Sequence, residues 1–419
     1  MRQLPDNTLL QKLYSTKEIV HQKKRYEKLI NFFQDHFSEK DMLQFFSAPG
    51  RIEIGGNHTD HNNGKVLAGA INLDSVAAVS KNNSNKIILY SEGFNKPFHV
   101  DLGQLDKKKK EEGTTTALIR GIACKLKESG FNIGGFEGVM TSSVMVGSGL
   151  SSSASVEVLI GKIFNTLFNS NRISDKQIAS IGQWAENNYF NKPCGLMDQT
   201  ACSVGGIITI DFKDLQNPIV KKIDFDFNAT GYSVLIVDTG GSHADLTDDY
   251  AAVRLEMNKT AQQLGGEVMR DISMKTLLEK IPLIRKKTGD RPLLRSLHYL
   301  QENQRVIEEV KALKGNDFSR FLELVSESGN SSFKYLQNCY TPKDLNNQSI
   351  PLALALTELF INKTGSGACR VHGGGFAGTI QVFLPKKQVE SYKQYISSFF
   401  GENAILDLQI RSAGGCFLQ

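Results

Sequence analysis

At 419 residues the chain exceeds the usual ceiling for one hydrophobic core, so two domains are expected, with the division placed at 1–215 and 216–419. The composition is that of an ordinary globular protein, 40% hydrophobic and 22% charged, and the formal charge is 49 − 44 = +5. The densest basic run, Lys107 to Lys110, is followed at once by Glu111 and Glu112, which describes a solvated loop and argues against a nucleic-acid or membrane partner.

Six cysteines, at 124, 194, 202, 339, 369 and 416, form no CxxC pair, so neither zinc spacing nor a disulfide framework is supported and a reduced compartment is expected. The polar start, Met1 to Asp6, lacks the pattern of a secretory signal, and no run approaches the roughly 18 apolar residues of a membrane span. The expectation is a cytoplasmic protein that works as a monomer.

Along the chain, residues 17–37 place Tyr26, Ile30, Phe33 and Phe37 at the period of an amphipathic helix. Strand-like runs follow at Val76–Val79, Ile87–Tyr90, Ile207–Phe212, Val234–Val237 and Thr379–Leu384. Between them, residues 154–167 carry Val156, Leu159, Ile160, Ile163, Phe164 and Leu167 on one stripe. Ser174 with Gln177 reads as a capping box opening a helix that Pro193 ends. The mixture lacks strict βαβ alternation, so the fold class expected is α+β. A polar stretch near 213–223 is the candidate linker, and 337–350 reads as a surface loop.

Four segments carry polar chemistry. Val146-Gly147-Ser148-Gly149-Leu150-Ser151-Ser152-Ser153-Ala154 runs into the periodic helix. Glycines let backbone N–H groups approach an anion, and a helix start leaves unpaired donors with positive partial charge. A polyphosphate fits there, and a serine hydroxyl suits the hard-oxygen shell of Mg²⁺. Neither GxxxxGK[ST] nor GxGxxG matches, and a Ser-capped helix after a glycine turn explains the same residues.

Arg51 leads into Gly55-Gly56-Asn57-His58-Thr59-Asp60-His61-Asn62-Asn63-Gly64, which crowds donors and acceptors as a sugar's hydroxyls require; a hydrophilic Asx-capped turn is the plainer account. His58 and His61 lack a third metal ligand nearby. Asp198, within Cys194-Gly195-Leu196-Met197-Asp198-Gln199, has apolar neighbours and is expected to be paired with an arginine. Such a pair serves either to accept a hydroxyl proton beside a phosphoryl group or as a structural ion pair. Gly373-Gly374-Gly375-Phe376-Ala377-Gly378 implies a close approach to a ligand or a tight turn.

Taken together and in this order, these segments resemble the GHMP kinases, named for galactokinase, homoserine, mevalonate and phosphomevalonate kinases. Pro49-Gly50-Arg51, then His58-Thr59-Asp60 and Gly64, is similar to the galactokinase-type sugar signature PGRxNLIGEHTDYNxG. Gly147–Ala154 resembles the family's phosphate loop, Gly373–Gly378 its GGGFGG motif and Cys194–Gln199 its CGxMDQ. Asp249-Tyr250 followed by Arg254 resembles its acidic-Tyr pair. The similarity runs from about residue 46 to 384.

The resemblance implies a two-domain fold with the active site in the cleft between domains, and ATP-dependent phosphorylation of the anomeric C1 hydroxyl of galactose. It implies Asp198 as base and Arg51 as its partner, with Asn57, His58, Thr59, Asp60 and Tyr250 binding the sugar. Ser91, Gly147, Ser148, Gly149, Leu150, Ser151, Ser152 and Ser153 would hold ATP, and Ser153 with Glu186 would hold Mg²⁺.

Several positions depart from the signature. Asn57 stands in place of Glu, Glu53 in place of Asn, Gly55 in place of Ile and His61 in place of Tyr. Met145 replaces a proline, Ser242 stands before His243 where a basic residue is usual, and His372 replaces Thr. Replacing Glu by Asn at 57 removes a negative charge, which leads to the expectation that a sugar with an altered C6, such as galacturonate, is tolerated. Two other readings are a non-catalytic galactose and ATP sensor, which the presence of Asp198, Arg51, Ser153 and Glu186 disfavours, and a kinase for mevalonate or homoserine, which the sugar signature disfavours.

Overall fold

The computed structural model describes residues 4–37, 43–145, 147, 149–241 and 246–418. Ser148 and Val146 of the glycine-serine segment, and Ser242 with His243, lie outside the described residues.

Among the described residues twelve strands form two sheets: β1 (Gln44–Gly55), β2 (Lys65–Lys81), β3 (Lys86–Ser91), β4 (Phe98–Asp101), β5 (Phe136–Ser142), β6 (Ile207–Asp211), β7 (Ile219–Ile223), β8 (Tyr232–Asp238), β9 (Ala368–His372), β10 (Thr379–Pro385), β11 (Ile405–Leu408) and β12 (Cys416–Leu418). The larger sheet runs β12-β1-β2-β5-β3-β4, with β6 on the first half of β2 and β7 on β6. All its pairings are antiparallel except β3 with β5. The smaller sheet is antiparallel, in the order β11-β8-β10-β9.

Period-2 alternation sends neighbouring residues of β1 and β2 to opposite faces. Phe46, Ala48, Ala77 and Val79 pack under the helices Thr115–Glu128, Ser152–Asn169 and Asp175–Ala185. Phe45, Val76 and Ala78 meet Tyr26, Leu29 and Phe33 of the helix Ile19–His36. A third cluster joins the two parts of the molecule: Ile52, Ile54 and Leu67 of the larger sheet share it with Val234, Phe383 and the helices that carry Val306 and Phe321.

Every strand-like run of the sequence is a strand, and Ser174 and Gln177 form a reciprocal capping box, with Ser174 N–H to Gln177 Oε1 at 3.0 Å. Two expectations are corrected. The helix that follows ends before Pro193: it passes into a wider turn at Glu186–Phe190 and stops at Asn191, whose left-handed backbone (φ 68°) breaks the ladder. Within the candidate linker, Ile219–Ile223 is an edge strand, its exposed Lys221 and Lys222 guarding the edge and its β-branched residues pairing with β6.

Candidate active site

The glycine-serine segment turns under the start of β1's polar stretch. Ser151 adopts the left-handed region (φ 61°) and the helix Ser152–Asn169 begins directly after it, so the first N–H groups of that helix face out of the turn. Two glycines allow the close packing. A Cβ on Gly50 would lie 2.8 Å from the Leu150 carbonyl oxygen, and one on Gly149, at φ +73°, would press on His372 Nδ1 at 3.2 Å.

Asp198 sits in the first turn of the helix Met197–Val204, where the peptide dipoles favour a carboxylate. Arg51 grips it with two parallel bonds, Nε to Oδ1 and Nη2 to Oδ2, both 2.8 Å. Ser151 donates its hydroxyl to Oδ2, and Arg51 Nη1 donates to the Gly149 carbonyl. The Asp198 side chain is 30% exposed and that of Arg51 is 9%. The pair expected from the sequence is therefore formed, and it is clamped to the glycine-serine turn. One edge of the carboxylate remains open.

Ser153, the second residue of the helix, donates to Glu186 Oε1 at 2.8 Å. The same oxygen accepts from the Lys192 ammonium at 3.1 Å, so a cation already occupies the coordination space of this hydroxyl–carboxylate pair. Gln199 donates to Glu186 Oε2 (2.8 Å) and to Glu157 Oε2 (3.0 Å). Burial pushes the Glu157 carboxyl well above the usual range, and the neighbouring Glu186 charge adds to it. Among the described residues no group of three or more His, Cys, Asp or Glu could enclose a metal.

The expected sugar-binding residues gather around one turn. Three successive carbonyls of the triple glycine each accept from a different side chain: Gly373 from Asn57 Nδ2 (2.6 Å), Gly374 from His58 Nε2 (2.8 Å) and Gly375 from the Tyr250 hydroxyl (2.9 Å). A carbonyl only accepts, so His58 carries its proton on Nε2 and leaves Nδ1 as an acceptor. Burial, with help from His61, holds the His58 pKa down to about 3, and the ring is neutral. Burial alone would raise Asp60, but the His61 hydrogen bond holds it at about 2; a Cβ on Gly195 would lie 2.7 Å from its Oδ2.

Two members of the set are spent on the protein itself. The Thr59 hydroxyl lies on the Gly56 and Lys65 carbonyls at 2.9 and 2.6 Å. Asn57 is fully buried, with Nδ2 donating to Glu53 and Gly373 and Oδ1 accepting from Asn338 (2.9 Å) and Ser332 (3.3 Å). An acid nevertheless stands beside position 57: Glu53 Oε1 accepts from the Asn57 amide at 2.9 Å.

Ser91, at the end of β3, lines a cavity of about 690 Å³ together with Arg25, Asn72, Phe94, Ser142 and Ser143. The chain runs from Ser143 directly into the glycine-serine segment. A second cavity, of about 910 Å³, between Leu13, Lys222 and Gln409, is lined by none of the expected site residues.

Some participants left little trace in the sequence. Lys192 has no motif to mark it, and Arg370 lies in β9, outside the motifs. The available signal was a charged residue in the middle of Ala368–His372, a stretch otherwise apolar enough to be buried.

Comparison with known proteins decides the family. The galactokinase galactose-binding signature matches residues 31–81, and the N-terminal domain of the GHMP kinases matches residues 117–206. A galactokinase of Glaesserella parasuis is 31% identical over 376 residues, spanning 87% of this chain and 91% of the relative. The chain belongs to the galactokinase family. A galactokinase of Streptomyces coelicolor is likewise 31% identical, over 361 residues, 85% of this chain and 88% of that one. The solved galactokinase of Lactococcus lactis complexed with galactose has the same fold, with a TM-score of 0.78 at 23% identity over 92% of this chain and 98% of that one. The mevalonate kinase of Methanococcus jannaschii shares it more distantly, with a TM-score of 0.62 at 17% identity over 89% of this chain and 99% of that one. The α+β, two-domain GHMP kinase architecture expected from the motifs is the one the galactokinase family has.

Proposed function

We propose that this chain transfers the γ-phosphoryl group of ATP to the C1 hydroxyl of galactose, giving galactose 1-phosphate and ADP. The observation that carries the reading is the Arg51–Asp198 pair fastened to the glycine-serine turn, which puts a proton acceptor and a fixed cation beside an anion-ready helix start.

In this reading the phosphates lie over Gly147, Gly149 and Leu150 to Ser153, with Ser148 part of the same stretch of sequence, and the base of the nucleotide enters the cavity beside Ser91. Asp198 accepts the proton of the sugar hydroxyl on its open edge while that oxygen bonds to the γ-phosphorus and the bridging oxygen leaves with ADP. Arg51 holds the carboxylate in register and offsets charge on the equatorial oxygens. His58 Nδ1 and Asp60 accept from sugar hydroxyls, and Tyr250 braces the triple-glycine turn that His58 leans on.

Ser153 and Glu186 fit Mg²⁺ in that both offer hard oxygens, and the ion would take the place on Glu186 Oε1 that the Lys192 ammonium holds. The ion would neutralise the phosphate oxygens of the nucleotide. A division of the chain near residue 215, with the sugar signature, phosphate loop and Asp198 before it and Tyr250 and the triple glycine after it, belongs to the same reading, as does a monomer working in the cytoplasm. β7 and β12 return from the later half to the larger sheet. Among the described residues no helix is long and apolar enough to cross a membrane.

The test is ADP release from the purified chain with ATP, Mg²⁺ and, separately, galactose, galacturonate, N-acetylgalactosamine and arabinose, with the phosphorylated position read by NMR. Galactose is expected to be turned over at C1. Absence of ADP release with galactose, or phosphate at another position, overturns the reading.

A further inference from the structure

β1 pairs without interruption through Arg51↔Ala70, Ile52↔Gly69 and Glu53↔Ala68, so Arg51 and Glu53 point to one face and Ile52 to the other. Ile52 and Ile54 are in the apolar cluster that joins the two parts of the molecule. The face that carries Arg51 toward Asp198 therefore carries Glu53 as well.

Glu53 Oε1 is saturated. It accepts from Arg370 Nη2 at 2.7 Å and from Asn57 Nδ2 at 2.9 Å. Arg370 is itself fully buried, its other donors held by the Ile54 and Val371 carbonyls. Glu53 Oε2 meets no donor among the described residues, yet it is not sealed in: 7% of the side-chain surface stays open. A carboxylate oxygen held rigidly by its twin and left without a partner is an acceptor waiting for a donor. Asn57, by contrast, has no unused atom.

The two departures from the sugar signature are thus coupled. The acid that the signature carries at 57 is replaced by an amide turned into the protein, and an acid appears at 53 instead, held in place by that amide and by Arg370. We propose that Glu53 is a specificity-determining residue of the sugar site, its Oε2 accepting a hydrogen bond from one hydroxyl of the bound sugar. The inference rests on the function proposed above and names a contact within that site.

Glu53→Gln keeps the volume and an acceptor for Arg370 while removing the charge. Hydrogen bonds to charged groups are the strong ones, so the KM for galactose should rise about 10- to 100-fold with the KM for ATP within about twofold. A set of galactose analogues, each lacking one hydroxyl, then separates contact from scaffolding. In the parent protein removing the contacted hydroxyl is costly; in Glu53→Gln that one analogue should perform as well as galactose, while the others keep their deficits. A KM for galactose unchanged within twofold, or equal losses across the whole set in both proteins, overturns the inference. The double exchange Glu53→Asn with Asn57→Glu gives a second arm if Glu53→Gln does not fold, and should recover part of the lost affinity for galactose where Glu53→Asn alone does not. No recovery counts against the inference. A parent protein that leaves galactose untouched overturns the function itself, an outcome distinct from a parent protein that works and a variant that is indifferent.

Discussion

Asp74 and Asp198 are built from the same parts and do different work. Each carboxylate holds an arginine and a serine hydroxyl. Around Asp74 both oxygens are engaged and no edge is open: Arg25 Nη1 binds Oδ1 at 2.6 Å, while Arg411 (3.0 Å), Tyr14 and Ser47 crowd Oδ2. The side chain is sealed, and the cluster ties the helix Ile19–His36 and the segment after β11 to the junction of β1 and β2. Around Asp198 there is one arginine, one serine and an open edge. A saturated buried carboxylate fixes neighbouring segments, whereas one with a lone pair to spare can take a proton from a substrate.

Exchanging each acid for its amide is the sharpest way to break this comparison. Asp198→Asn is expected to lower kcat by on the order of 10²- to 10⁴-fold, the span of general-base catalysis, while ATP binding stays near that of the parent protein and the melting temperature falls less than in Asp74→Asn, because the Asp198 side chain is 30% exposed. Coupled ADP release, nucleotide calorimetry and a thermal scan read the three quantities. A loss confined to KM would remove Asp198 from the base's role. Arg51→Ala should also lower kcat, and the two losses should not add, because the pair acts as a unit.

Asp74→Asn should do the reverse. It leaves two guanidinium groups in the interior without their counter-charge, a change that costs about 3–5 kcal/mol where a buried pair is broken. Denaturant unfolding checks the value, and a variant as stable as the parent would show the cluster to be dispensable. The residual kcat of the folded fraction should stay within a few-fold of normal.

Acid titration sharpens the same contrast. Burial opposes ionisation of Asp74, but Arg25 and Arg411 outweigh it and depress its pKa. A depressed carboxylate stabilises the fold above its unfolded value of about 3.9 and loses that contribution as pH falls toward the folded value. His58 has the same sign in a higher window: neutral down to about 3 when folded and near 6.5 when unfolded, it favours the unfolded chain progressively below about pH 6.5. Stability should therefore slope downward from about pH 6.5, and His58→Gln should flatten the upper part of that slope. A profile flat between pH 7 and 4 in the parent protein contradicts the assignment of His58, and one that stays flat below about pH 4 contradicts that of Asp74.

How much of this could be read from the chain depends on how local each cause is. The strands from Val76, Ile87, Val234 and Thr379 are apolar runs, and the Ser174 cap is a four-residue pattern, so both are visible in a short window. Arg51 and Asp198 are 147 residues apart, and what links them in the sequence is motif resemblance together with the rule that a buried acid needs a cation. The Glu53–Asn57–Arg370 arrangement escaped because it depends on β1 lying against the end of β9, a contact that no window contains. The end of the helix at Asn191 escaped for a smaller reason: an asparagine in the left-handed region stops a helix as firmly as a proline two residues on.

Ser151 marks the narrowest gap between the two clusters, because Ser47 plays its part at Asp74 inside an extended strand whereas Ser151 must adopt φ 61° to reach Asp198. A non-glycine residue in that region carries about 1–3 kcal/mol of strain, which the hydroxyl bond and the following helix hold in place. Ser151→Ala removes one hydrogen bond of about 0.5–1.5 kcal/mol and leaves both arginine bonds intact, so kcat should fall only about 2- to 10-fold. Ser151→Gly also removes the bond but relieves the backbone, and should be the more stable of the two variants while being no more active. If Ser151→Ala matched Asp198→Asn in its loss, the hydroxyl would be handling the proton itself, and the carboxylate would be the group that positions it.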